Sequence, residues 1–160
     1  MIFFDLLRPS PQMKIMMVTS HTDDLAYQLC EHLQGCNGSV DLSCYPVIHQ
    51  NVEHEVLAKS DVLKDFSSPP RGASRDYEAV IVHDVLHLHE LPLKFLQLIY
   101  RSMENSAEII IVQAHGVMEV GEVESLLEQA EFRAPNTISD LLEGHEVIVA
   151  KKMHMWGNGL

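Results

Sequence analysis

The chain is short of cysteine, of basic charge, of glycine and proline, and of any long apolar run, and each shortage removes a class of function. Three cysteines (Cys30, Cys36, Cys44) occur in 160 residues, and none has C-x-x-C spacing. An odd number in this setting argues against a disulfide framework and a zinc knuckle, and for reduced thiols in a cytoplasmic protein. Lys and Arg number 11 against 23 Asp and Glu, a formal net charge of −12, and no Lys/Arg cluster occurs. Such a chain repels phosphate backbones and anionic lipid, so no nucleic-acid partner and no membrane partner are expected. No apolar run reaches the length of a membrane span. The opening MIFFDLLRPSP has neither a basic region nor a small-residue cleavage site, so it does not read as a signal peptide. With only 8 glycines and 7 prolines, long disorder is not expected either.

What is present is a globular composition, 46% apolar and 21% charged, at a length suited to one core. The expectation is a single domain over 1–160 with 1–12 as an N-terminal extension. Ile2, Phe3, Phe4, Leu6 and Leu7 are expected to pack on that domain or on a second copy of the chain, which makes a homo-oligomer the first partner to consider.

Hydrophobic patterning divides the chain into alternating strands and helices. Residues 14–19 (KIMMVT) read as a buried strand, followed by a turn, SHTDD, in which Asp23 or Asp24 can open a helix. Leu25, Leu29 and Leu33 then repeat at i, i+4, and Gly35 with Asn37-Gly38 marks the stop. Residues 39–44 alternate as a second strand, with Val40, Leu42 and Cys44 on one face. NVEHEVLAK over 51–59 reads as a two-turn helix, and 61–63 as a short third strand. FSSPPRGASR over 66–75 is a loop. Residues 79–82 (AVIV) form a buried strand, and Leu91-Pro92 opens a helix that Asn105 ends. Residues 109–112 are another strand, 123–130 a helix, and 137–142 and 146–150 two strands joined through Glu143-Gly144 at hairpin spacing. The order implies a three-layer, Rossmann-like α/β sandwich. Its sheet is mostly parallel and twisted, with one antiparallel strand in a C-terminal hairpin.

Two blocks in that order resemble a known family. DYEAVIVHDVLHLHELPLKFLQLIYRSMENSAEIIIVQ is similar to the fourth strand, loop, helix and fifth strand of class I S-adenosylmethionine-dependent methyltransferases. The matching words are Asp84-Val85-Leu86-His87-Leu88 and Ile99-Tyr100-Arg101. EVESLLEQAEFRAPNTISDLLEGHEVIVAKK resembles the family's last helix and closing hairpin, through Leu126-Leu127-Glu128-Gln129-Ala130-Glu131-Phe132. The resemblance implies S-adenosylmethionine at the C-terminal ends of the strands. By position it implies contacts from Ser20, from Asp41 to the ribose, from Asp61 and Val62 to the adenine, and from His83 and Asp84 in the crevice where open α/β sheets take a small-molecule ligand.

One segment departs from that pattern. The family's first strand leads into a G-x-G-x-G turn whose glycines let the backbone approach the cofactor. Here Ser20, Thr22 and Asp24 fall at those positions, and Asp23 and Asp24 add negative charge. The expectation is a methyltransferase-like protein with weakened or lost S-adenosylmethionine binding, acting as a non-catalytic binding or assembly module. The alternative is an active methyltransferase with an atypical cofactor loop.

Ten histidines raise a second alternative. The run His21-Thr22-Asp23-Asp24 resembles the His-Pro-Asp-Asp signature of zinc-dependent deacetylases. That likeness implies an amide hydrolase with His21 and Asp24 as ligands and Asp23 as base. The signature's proline and following glutamate are replaced by Thr22 and Leu25 and its third ligand has no clear match, so no metal is expected in this chain, neither here nor at His83, His87 and His89.

Overall fold

The computed structural model describes residues 3–8, 10–21, 24–48, 54–63, 70 and 76–153. Its elements are β1 (Lys14–His21), α1 (Asp24–Gln34), β2 (Ser39–Ile48), β3 (Leu57–Val62), β4 (Tyr77–His83), α2 (Pro92–Ser102), β5 (Met103–Ala114), α3 (Val120–Gln129), β6 (Arg133–Ile138) and β7 (His145–Lys151). Short 3-10 turns lie at Phe3–Leu6 and Leu86–Leu88.

The seven strands form one sheet in the order β3-β2-β1-β4-β5-β7-β6. β1 through β5 run parallel to one another, and β7 runs antiparallel to both β5 and β6. The sandwich with one reversed strand in the C-terminal hairpin is therefore the architecture of this chain.

Alternating side chains on each central strand feed two separate cores, as expected when both faces of a parallel sheet are covered. Val80, Val82, Ile109 and Ile111 pack with Phe95, Leu96 and Ile99 of α2 and with Val123 and Leu127 of α3. Ala79, Ile81, Ile110 and Val112 face the other way, against Leu25, Leu29, Cys30 and Leu33 of α1. The i, i+4 stripe of α1 is thus its buried face. Burial, with Glu31 next to it, pushes the Cys30 thiol up to about 11, so it stays protonated as a core side chain.

The N-terminal turn is part of this second core. Phe3 and Leu7 are buried in it, Phe4 and Leu6 pack on it, and the Phe4 ring stacks on His32 at 5.3 Å. Of the two destinations open to the apolar N-terminus, its own domain takes these side chains. Ile2 lies outside the described residues.

Four boundaries differ from the sequence reading, each for a local reason. The helix expected over 51–59 is not formed at its described end. Residues 57–59 begin β3, because pairing of Val40 with Leu57 and Asp41 with Lys59 satisfies backbone groups that an isolated two-turn helix would leave to water. β2 continues past 44 to Ile48, although it contains Pro46; the β1–β2 register shifts there, between Thr19 and His21, where proline has no N–H to give. Asn105 does not end α2. That helix stops at Ser102, and Met103 already pairs with Tyr77. The penultimate strand lies at 133–138 rather than 137–142. β6 is the outermost strand of the sheet, a position that tolerates Pro135.

Candidate functional site

The parallel strands β1, β4 and β5 end together, and their last residues build the site. β1 and β4 are in register, so Thr19 lies beside His83, and the Thr19 hydroxyl shares a 3.0 Å hydrogen bond with His83 Nδ1. His83 is buried. That bond leaves its Nε2 pointing away from β1, toward Asp84.

Asp84 follows the strand in a left-handed backbone conformation (φ 52°), uncommon for a residue with a Cβ. Two bonds to β5 hold it there. The Asp84 N–H donates to the Val112 carbonyl (2.8 Å), and the Ala114 N–H donates to Asp84 Oδ1 (2.9 Å). One carboxylate oxygen is thereby fixed on the sheet, and the other, Oδ2, lies toward His83 and His145.

The antiparallel β7 starts where β5 ends, and His145 pairs with Ala114. Its Nδ1–H donates to the Glu143 carbonyl (2.9 Å), so in the neutral ring Nε2 carries the lone pair. That Nε2 lies 3.7 Å from Asp84 Oδ2, and His83 Nε2 lies 3.4 Å from the same oxygen. Three residues from two distant segments therefore converge on one carboxylate oxygen. They are the group among the described residues whose donor atoms are placed to share a metal ion.

The other histidines of the junction go elsewhere. His89 turns inward, its ring against Phe95 (4.8 Å) and Tyr45 (6.1 Å). His87 sits on the 3-10 turn, where burial lowers its pKa and the Asp84 charge opposes that shift.

The remaining expected site residues are spread along the sheet. Ser20 lies at the crevice end of β1, 4% exposed. Asp61 and Val62 close β3, paired with Ser43 and Cys44, and their side chains lie outside the described ones. Asp41 is not brought to the crevice. It is the third residue of a ten-residue strand, and so sits near the opposite edge of the sheet. There it accepts a 2.6 Å hydrogen bond from the Tyr77 hydroxyl and lies 3.8 Å from Lys14 Nζ. Its carboxylate anchors the starts of β1 and β4. Of the His21/Asp23/Asp24 set, Asp23 lies outside the described residues, as do the side chains of the other two.

Two residues of the site, Thr19 and His145, escaped the sequence reading. His145 had a usable signal: a closing strand antiparallel to β5 must begin at the edge where β5 ends.

No family model matches the chain, and no curated protein matches it by sequence. Solved structures do match by fold. An S-adenosylmethionine-dependent methyltransferase from Aquifex aeolicus superposes with a TM-score of 0.69 at 15% identity, covering 94% of this chain and 87% of that one. A complex of the Haloferax volcanii Trm112 methyltransferase activator with a candidate methyltransferase gives 0.67 at 12% identity, covering 91% and 85%. The methyltransferase CalH, solved with S-adenosylhomocysteine, gives 0.66 at 14% identity; the chain covers 52% of its length. The fold is that of the class I S-adenosylmethionine-dependent methyltransferases.

Proposed function

We propose that this methyltransferase-fold chain binds S-adenosylmethionine weakly or not at all, and works as a non-catalytic binding or assembly module. The observation that carries the reading is the end of β1. Where the family turns on glycine, this chain keeps an extended strand through His21, which pairs with Ile48, and Ser20 is buried at that edge. A side chain there takes space that a glycine turn would leave to the cofactor, and an L residue resists the positive φ of such a turn. These residues do not fit S-adenosylmethionine well.

The crevice at the C-terminal ends of β1, β4 and β5 is the ligand site on this reading, and a protein is its natural second partner. One fold neighbour is a complex with a protein activator. Three free thiols, Cys30, Cys36 and Cys44, support the reducing cytoplasm as its compartment.

Calorimetric titration of the full chain with S-adenosylhomocysteine tests the reading. Expected is no saturable binding in the low micromolar range. A dissociation constant below about 10 µM, roughly −7 kcal/mol, would overturn it in favour of a working methyltransferase with an atypical loop.

A further inference from the structure

We propose that His83, Asp84 and His145 form a binding site for a divalent transition-metal ion of the zinc class. The inference is independent of cofactor binding and concerns residues other than the His21/Asp23/Asp24 turn. One donor atom from each residue lies within 4.8 Å of the other two.

The separations favour a shared ion over direct hydrogen bonding. Each imidazole Nε2 stands 3.4 or 3.7 Å from Asp84 Oδ2, longer than a nitrogen-to-carboxylate hydrogen bond. Around a zinc ion with bonds of 2.0–2.2 Å, neighbouring tetrahedral donors stand roughly 3.3–3.6 Å apart. The separations of 3.4 and 3.7 Å are already close to that range, and His145, whose side chain is partly exposed, has room to turn its ring toward an ion.

The surrounding bonds prepare the donors. His145 gives its Nδ1–H to the Glu143 carbonyl, which fixes the tautomer that presents the Nε2 lone pair. His83 has its Nδ1 engaged by the Thr19 hydroxyl, so its Nε2 is the nitrogen turned to the site. Asp84 has Oδ1 tied to the Ala114 N–H and Oδ2 left toward both rings. Each ligand is thus oriented by a neighbour through its other polar atom, as in established metal centres. The Asp84 backbone strain serves that placement.

Two imidazoles and one carboxylate suit zinc, cobalt(II), nickel(II) or iron(II), and not magnesium or calcium, which take oxygen ligands. Three protein ligands also leave coordination positions for water or a ligand oxygen, the arrangement of an open rather than a structural centre. His145 is 27% exposed on the side chain, against 2% for His83, so the open side faces the crevice mouth.

Titration of metal-stripped full-length protein with cobalt(II), followed by visible d–d absorption and by calorimetry, decides the matter. Expected is one equivalent bound, competed by zinc and not by magnesium. Ten histidines can hold cobalt elsewhere, so the variants carry the assignment. His145→Ala changes a rim side chain, and Asp84→Asn keeps the shape of its carboxylate. Each is expected to lower affinity at least ~10-fold and to alter the absorption bands, while both variants keep the wild-type circular dichroism. Absence of saturable binding in the wild type, or equal affinity and spectra in wild type and both variants, would overturn the site.

Discussion

Lys152 shows how a single buried charge holds two elements together. It is buried just past β7, and its Nζ donates to the carbonyls of Tyr100 (2.9 Å) and Met103 (2.8 Å) while lying 4.7 Å above the Tyr100 ring. Those carbonyls belong to the last turn of α2 and the first residue of β5, and the Tyr100 carbonyl also accepts the Met103 N–H that closes the helix. Lys152→Met keeps the stem but removes a charged hydrogen bond from each of the two carbonyls. We expect a loss of about 2–3 kcal/mol, since hydrogen bonds to a charged group contribute about 1.5–3. Urea denaturation at unchanged m-value measures it, and a loss under about 0.5 kcal/mol would refute the account. The same scale shows which site residues a sequence can reveal. His83 and Asp84 were readable because a hydrophobic run ends at them and ligand crevices lie at strand ends. Where Asp41 lies depends on the length of β2, which runs to Ile48 and sets it near the opposite edge of the sheet, and no local signal gives that length. Thr19 was not readable as a site residue at all, because only the parallel register of β1 and β4 sets its hydroxyl against His83.

At the level of elements, the N-terminal 3-10 turn is the piece whose importance its length conceals. Four residues of turn have little stability of their own. Phe3 and Leu7 nevertheless fill the core between α1 and the sheet, and Arg8 and Ser10 lead directly into β1, with the Ser10 hydroxyl donating to Glu78 of β4 (2.6 Å). Burial of two such side chains contributes about 1.5–3 kcal/mol each. Removal of residues 1–8 is therefore expected to cost about 3–6 kcal/mol, an upper range because the unfolded chain already buries part of this surface. Thermal and urea unfolding of the truncated chain would show it, and stability within about 1 kcal/mol of the full chain would mean that the segment is a dispensable extension after all. Other elements divide by how local their causes are. α1, α2, β4 and β5 were readable from periodicity because both faces of the sheet impose apolar positions on them. The start of β3 was not. Its residues have no strong period, and they are strand because β2 offers a free edge. β6 was misplaced because proline is a poor strand residue anywhere except at such an edge.

For the whole molecule, the two open questions are what it meets and under what conditions. Self-association was expected from the apolar N-terminus, but Phe3 and Leu7 are spent on the domain's own core. The β6 edge is a poor template for strand pairing, since Pro135 lacks an N–H and Ala134 adopts a left-handed conformation (φ 53°) that breaks its line. Among the described residues, Leu91 is the most exposed large apolar side chain at 58%; Tyr27 and Met153 are exposed elsewhere, and Leu91 lies with Leu88 and Val117 after the crevice-forming strands. Two copies meeting there would each carry a formal charge of −12 and repel one another. The sign of the salt effect follows. Screening shortens the reach of that repulsion, from about 30 Å at 0.01 M ionic strength to about 8 Å at 0.15 M, and leaves apolar burial almost untouched. A homodimer built on these side chains should thus grow with added salt, whereas one built on ion pairs would dissociate. Sedimentation velocity of the full chain at low and physiological ionic strength, with Leu91→Ser alongside, separates the cases. Salt-promoted dimer, lost in Leu91→Ser, is the expected result. A monomer at every concentration and salt level would remove self-association and leave a different protein as the partner to seek.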